Sequence, residues 1–237
     1  VAAISRTGGT DHGAFVKEKD QKSAFLSEEG DNYFRRHRSL TQPGENDYVL
    51  DTLAAAALSF DSFLEIGCSN GYRVASLAKA TGARGFGIDP STEAIETGRQ
   101  LFGGSINLCV GSAETLPFED RSVDLVVFGF CLYLTDVEDH FRIASEANRV
   151  LRDGGSLLIY DFLSGVPYYN DYHHMPGLKS HKMDFSRYFL AHPGYTLAYR
   201  HARPYEAGKE MNADNTVVTD ILRKDFRNAF VPNPYRE

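Results

Sequence analysis

Phe63-Leu-Glu-Ile-Gly-Cys-Ser-Asn-Gly71 decides how this chain is read. It opens as a short, largely apolar run, breaks into small residues bounded by glycines, and is followed by helical spacing from Tyr72 to Ala80. The stretch therefore predicts a strand, a tight turn and a helix. Gly67 can take the positive φ needed to leave the strand, and its missing side chain lets a ligand approach the backbone. Gly71 stands where the helix begins, so free N–H groups and the positive dipole end point into the same space. A second apolar run ends in Gly87-Ile-Asp89-Pro90, about twenty residues further on. The Asp89 carboxylate can accept hydrogen bonds from the hydroxyls of a ribose. Turn and carboxylate together fit an adenosine-bearing cofactor.

Glycine spacing separates two cofactor classes. A dinucleotide fingerprint runs G-x-G-x-x-G, with its second glycine admitting the pyrophosphate. Here Ser69 occupies that second position, where a pyrophosphate would meet a side chain. The segment resembles instead motif I of the class I S-adenosylmethionine-dependent methyltransferases, acidic-x-Gly-x-x-x-Gly, with Glu65 at the acidic position. The resemblance runs from about Phe63 to Phe162. It takes in Gly111-Ser-Ala-Glu-Thr-Leu-Pro-Phe118, Val123-Asp124-Leu-Val-Val-Phe128 and Val150-Leu-Arg-Asp-Gly-Gly-Ser-Leu-Leu-Ile-Tyr160. In detail it is similar to the small-molecule branch that includes the quinone-biosynthesis methyltransferases.

From Ser62 to Phe162, strands and helices alternate as in a parallel sheet covered on both faces. The expected fold is α/β, a Rossmann-like doubly wound sheet of about seven strands, mostly parallel with a C-terminal antiparallel hairpin. Strands are expected at 62–66, 83–88, 106–110, 123–128 and 155–162, with helices at 72–80, 92–102 and 137–151. Residues 1–29, polar and without a period, read as a flexible N-terminal arm. Residues 30–237 read as one domain: helices over 30–60 broken at Pro43-Gly44, a cofactor-binding core over 61–162, and an acceptor-site loop followed by antiparallel strands over 163–237. The strand-like runs at 195–202 and 216–223 form that hairpin, where a dehydrogenase would continue with βα units.

Composition narrows the function further. A chain of 237 residues with net charge −7 argues against a broad nucleic-acid footprint. No apolar run reaches membrane-spanning length and no uninterrupted apolar leader opens the chain, so the expectation is a cytoplasmic protein acting as a monomer or homodimer. Cys68, Cys109 and Cys131 lack both CxxC spacing and zinc-ligand clustering and read as reduced thiols. No metal is expected.

The resemblance implies S-adenosyl-L-methionine as the cofactor and S-adenosyl-L-homocysteine as its product. It places Glu65, Gly67, Cys68 and Gly71 at the methionine moiety, Asp89 and Pro90 at the ribose, and Ser112, Ala113 and Glu114 at the adenine. Phe128 and Gly129 border the methionine, with Phe130 and Tyr133 close to the sulfonium. Many relatives carry Asp where this chain has Ser112, so Glu114 is a candidate to take over the adenine amino group.

Methyl transfer asks mainly for positioning, plus a base if the acceptor is a hydroxyl or ammonium. The dense Tyr/His segment from Val166 to Met175 follows the fifth strand and supplies His173 and His174 as candidate bases, with Asp171 as an orienting partner. Tyr33 and His37 are candidates for closing over the site, against the plainer reading of an ordinary amphipathic helix. Asp136, Asp161, Glu138 and Asp139 are the carboxylates that a metal-assisted catechol mechanism would use. The expected function is methyl transfer to a small-molecule acceptor, with O-methylation of a metabolite, sugar or natural-product intermediate favoured. The alternatives are an NAD(P)-dependent oxidoreductase and a non-catalytic S-adenosylmethionine-binding partner subunit.

Overall fold

In the computed structural model, residues 20–38 and 47–236 are described. The sheet is organised by β1 (Ser62–Ile66), whose five residues are all buried, as expected of a parallel strand covered on both faces. It pairs in parallel with β2 (Arg84–Asp89) on one side and β4 (Val123–Gly129) on the other. Beyond them lie β3 (Asn107–Val110) and β5 (Leu151–Phe162), then β9 (Thr216–Lys224) and β8 (Tyr195–Pro204), both antiparallel to their neighbours. The seven-stranded order is β3-β2-β1-β4-β5-β9-β8. Chain direction across the sheet reverses between β1 and β4, which opens a crevice outside their carboxyl ends.

Helices α4 (Tyr72–Thr81), α5 (Thr92–Phe102) and α6 (His140–Val150) link these strands. Two apolar clusters sandwich the sheet. One gathers Leu64, Val126, Phe128, Ile143 and Leu157; the other gathers Phe63, Val74, Ile95, Leu125 and Leu158. Removing one of these fully buried side chains to Ala would cost about 2–5 kcal/mol.

Three expectations need correction. Residues 20–29 are not an arm: α1 (Gln21–Ala24) runs into a π-helical turn, Phe25–Glu29, and on into α2 (Gly30–Arg36). The segment is polar because its polar residues find partners far along the chain. Asp136 accepts from the N–H groups of Gln21 and Lys22, and the Gln21 amide donates to the Leu134 carbonyl at 2.7 Å. Residues 1–19 and the expected break at Pro43-Gly44 lie outside the described residues.

The second correction concerns β5, which starts at Leu151 rather than Gly155. A register irregularity between Val123 and Leu125 lets Leu151 pair with Val123 directly after α6. Helix α6 itself begins at His140, after a single 3₁₀ turn over Val137–Asp139. Third, the loop after β5 carries a small antiparallel pair, β6 (Tyr168–Asp171) with β7 (Lys179–Lys182), and a short α7 (Arg187–Leu190). These strands are too polar to show the apolar alternation by which strands are recognised. Helix α3 (Tyr48–Ala56) is capped by Asp47, whose carboxylate accepts from the N–H groups of Val49 and Leu50.

Candidate active site

The turn after β1 folds as its composition demands. Gly67 has φ +74, and a Cβ there would sit 2.6 Å from Cβ of Cys131. Ser69 also takes a positive φ, +51, which an L-residue adopts at some cost. Its N–H donates to Oδ2 of Asp89 at 2.7 Å, while the Ser91 N–H donates to Oδ1 at 2.9 Å. Burial pushes the Asp89 carboxyl up to about 6, with these two N–H groups pulling the other way. Each oxygen keeps a lone pair for a further donor.

Around this pair lies a cavity of about 330 Å³. Of the expected cofactor residues, Gly67, Cys68, Asp89, Pro90, Ser112, Ala113, Glu114, Gly129 and Phe130 line it. Glu65, Gly71 and Phe128 do not. Phe128 is fully buried in the core, and Gly71 is the left-handed cap of α4. Tyr133 lines a neighbouring chamber instead.

Glu65 acts on the cavity through Arg73. The guanidinium reaches Glu65 and donates to Asp47 Oδ2 at 2.9 Å, and Arg73 itself lines the cavity. Burial pushes Glu65 up to about 7 while Arg73 pulls it down. Burial likewise works against the charge of Arg73, but Glu65 and Asp47 outweigh it and keep the guanidinium protonated. The resulting cation in the cavity wall suits a carboxylate. Sequence reasoning passed over Arg73, although a cation in the first turn of a helix opposes the dipole and so signals a paired or functional role.

At the far wall, Glu114 is buried and its Oε2 has no hydrogen-bond partner; the nearest cation, Lys22, stands 3.9 Å away. A buried acceptor without a hydrogen bond is expensive, and Glu114 lines the cavity, within reach of a ligand donor. An adenine amino group has the required chemistry.

Helices α1 and α2 form the roof, with Lys22, Phe25, Gly30, Tyr33, Phe34 and His37 facing the cavity. Gly30 allows this docking: a Cβ there would lie 3.1 Å from the Ser91 nitrogen and 2.6 Å from the Phe25 carbonyl oxygen. Asp31 holds the roof down by accepting from the Ser91 hydroxyl at 2.7 Å and the Glu93 N–H at 3.0 Å. Tyr33 and His37 thus line the site as well as packing on it. Lys22 and Phe25 were hidden by reading their segment as an arm.

The cavity opens into a second, polar chamber of about 740 Å³. Tyr33, His37, Phe130 and Tyr205 line both and form the neck between them. Phe130 has φ +72, rare for a bulky residue, and is held there by rings on several sides. Tyr205 lies parallel to it at 5.6 Å, Tyr160 stacks at 5.1 Å and Phe162 packs at 5.0 Å. His173, His174 and Asp171 line the outer chamber only. Both imidazoles are exposed, and Asp171 pairs with Lys179 Nζ at 2.6 Å rather than orienting either one.

Two of the carboxylates considered for a metal, Asp161 and Asp136, are spent on backbone. Asp161 accepts from the N–H groups of Leu132 and Phe162, both at 2.8 Å, and Asp136 caps α1. All three cysteines are free thiols, and burial raises Cys68 and Cys131 well above the ordinary thiol range. Among the described residues, no helix is long and apolar enough to cross a membrane.

A family model described as "Methyltransferase domain" matches residues 64–159, the segment that builds the floor of the inner cavity. Over that segment the chain is similar to a methyltransferase domain. Its similarity to demethylmenaquinone methyltransferase of Staphylococcus aureus (strain MRSA252) is 37% identity over 99 residues, 40% of this chain and 40% of that protein. The enzyme of the same name from Staphylococcus haemolyticus matches equally, over 41% of its length. The match thus spans about two fifths of these curated relatives. Among solved structures, the fold is shared with 1,6-didemethyltoxoflavin-N1-methyltransferase of Burkholderia thailandensis, crystallised with its acceptor and S-adenosylhomocysteine. That likeness has a TM-score of 0.67 and 14% identity, and covers 94% of each chain. A methyltransferase from Methanosarcina mazei aligns at TM-score 0.60 and 20% identity over 77% of this chain and 99% of its own. The matching segment lies on the Rossmann-like, mostly parallel sheet expected from the sequence, antiparallel edge included.

Proposed function

We propose that this chain transfers a methyl group from S-adenosylmethionine to a small-molecule acceptor, with a hydroxyl oxygen as the favoured target. One observation carries the reading: a buried carboxylate with one oxygen lacking a hydrogen bond, Glu114, and a turn-anchored carboxylate, Asp89, line one adenosine-sized space. In this reading Asp89 and Pro90 hold the ribose, Ser112, Ala113 and Glu114 the adenine, and Gly67, Cys68 and Gly129 the methionine. Arg73, positioned by Glu65, faces the methionine carboxylate. When bound, the cofactor supplies an electrophilic methyl on a sulfonium. Phe130 and Tyr205 hold the neck through which an acceptor reaches it, and His173, His174 and Asp171 contact the acceptor in the outer chamber.

A dinucleotide suits this site poorly. Ser69 lines the cavity where a pyrophosphate would pass, and the carboxylates of Asp89 and Glu114 would repel it. The three free thiols agree with a reducing, cytoplasmic compartment, and the proposed working form is a monomer or homodimer. Calorimetric titration with S-adenosylhomocysteine and with NAD tests the reading. Binding of the former, together with passage of labelled methyl into a pool of hydroxylated small molecules, supports it; a response to NAD alone sinks it.

A further inference from the structure

We infer that His37 is the general base that takes the proton from the acceptor's hydroxyl, a role that sequence reasoning offered to His173 and His174. The inference rests on the methyl-transfer reading above.

Position comes first. A methyl held in the inner cavity and an acceptor held in the outer chamber must meet at the neck. Its four residues are Tyr33, His37, Phe130 and Tyr205, and among the described residues His37 is the one imidazole lining the inner cavity. His173 and His174 line the outer chamber alone. Phenylalanine carries no exchangeable proton, and phenols ordinarily titrate near 10. The imidazole is therefore the neck group whose chemistry suits taking and returning a proton.

Orientation comes second. Nδ1 of His37 lies 2.9 Å from the carbonyl oxygen of Tyr33. A carbonyl only accepts, so Nδ1 carries the hydrogen and the neutral ring keeps its basic lone pair on Nε2. The ring is braced against Tyr33, with centroids 4.2 Å apart, and Tyr33 is in turn tied to Tyr133 through their hydroxyls at 3.2 Å. A base whose tautomer and plane are set by a second group is the arrangement that general-base catalysis requires.

The step balances. Nε2 takes the hydroxyl proton as the acceptor oxygen bonds to the methyl carbon, and the pair of the breaking carbon–sulfur bond returns to sulfur. The imidazolium then gives its proton to water in the outer chamber.

The test uses the full chain. In protein carrying ¹⁵N-histidine, the His37 ring should show the Nδ1–H tautomer, assigned as the signal that vanishes in His37→Asn. A ring protonated on Nε2 instead overturns the inference. Asn retains a side-chain N–H for the Tyr33 carbonyl but has no basic nitrogen. His37→Asn should bind S-adenosylhomocysteine within about twofold of wild type and transfer labelled methyl to the hydroxyl pool about a hundredfold more slowly or worse. Transfer at more than half the wild-type rate overturns the assignment, and if the pool holds no acceptor the tautomer alone decides. Failure of wild type to bind S-adenosylhomocysteine would sink the methyl-transfer reading instead, and the tautomer is measured without ligand, so the two failures are distinguishable.

Discussion

The two chambers that meet at the neck are built in opposite ways. The floor of the inner one is made of backbone turns at the carboxyl ends of β1, β2, β3 and β4, each a few consecutive residues long. The outer one is made of side chains from residues near 33, 130, 172 and 205–215, far apart in the chain and brought together by the small β6–β7 pair and the antiparallel edge. Backbone turns tolerate little variation because a glycine φ or a capping carboxylate has few substitutes. A wall of side chains can be exchanged residue by residue without disturbing the sheet. The same molecule therefore keeps a stringent site for the donor beside an adaptable one for the acceptor.

Breaking the inner chamber should have the largest effect. Asp89→Ala removes the carboxylate that anchors the Ser69 and Ser91 N–H groups and accepts from the ribose. At about 1.5–3 kcal/mol per hydrogen bond to a charged group, S-adenosylhomocysteine affinity should fall by roughly a hundredfold or more in calorimetry. Unchanged affinity would mean that the ribose lies elsewhere.

The same carboxyl predicts a pH dependence. With its folded value near 6, Asp89 is increasingly protonated below that pH, so affinity should rise between pH 5 and 7.5 by about tenfold and flatten above. Stability of the ligand-free chain should run the other way. Burial also raises Asp161 to about 7. Folded values above the unfolded one near 4 give stability that is full at low pH and lost as pH rises through 6 to 7. The melting midpoint should therefore fall between pH 5 and 8, and Asp161→Asn should shrink that slope. Carboxyls held low, such as Asp214 and Asp47, titrate below this window and do not contribute.

Breaking the outer chamber should do less. His173→Ala and His174→Ala should leave S-adenosylhomocysteine affinity untouched and raise the acceptor KM by about three- to tenfold each, the loss of one exposed polar contact. A drop in cofactor affinity in either variant would erase the distinction between the chambers. The smallest effect belongs to Ser69→Gly, which relieves a positive φ. Chemical denaturation should show a gain of no more than about 1 kcal/mol, because glycine's extra freedom in the unfolded chain offsets part of it.

This contrast explains what the sequence could show. The elements of the core were legible because buried parallel strands are short apolar runs and amphipathic helices keep their period, and strand Ser62–Ile66 and helix Thr92–Phe102 fall where their patterns place them. The Gly67 turn and Asp89 were legible because their roles depend on local backbone. The roof was not: Gln21 and Glu29 are polar and buried, Gln21 bonding to Leu134 and Oε1 of Glu29 to Arg36 and Tyr172, partners over a hundred residues away in all but one case. Arg73, Tyr160 and Tyr205 reach the cavity through tertiary placement that no spacing encodes. The Tyr/His segment could be singled out by its density of polar rings, yet its distance from the neck is invisible in the order of residues.

The roof carries a kinetic consequence. Helices α1 and α2 are fastened by Asp136, Leu134, Asp31 and Lys179, whose N–H donates to Gln21 at 2.6 Å. These fastenings join one short helical segment to three separate parts of the chain, at 91–93, 134–136 and 179, so lifting it releases them together rather than one at a time. Exchange of spent cofactor that requires such lifting runs on the clock of that cooperative release. A mutation in residues 20–36, remote from any transferred atom, would then change how long the donor pocket stays occupied, and the pace of repeated cycles would be set by a hinge rather than by a bond.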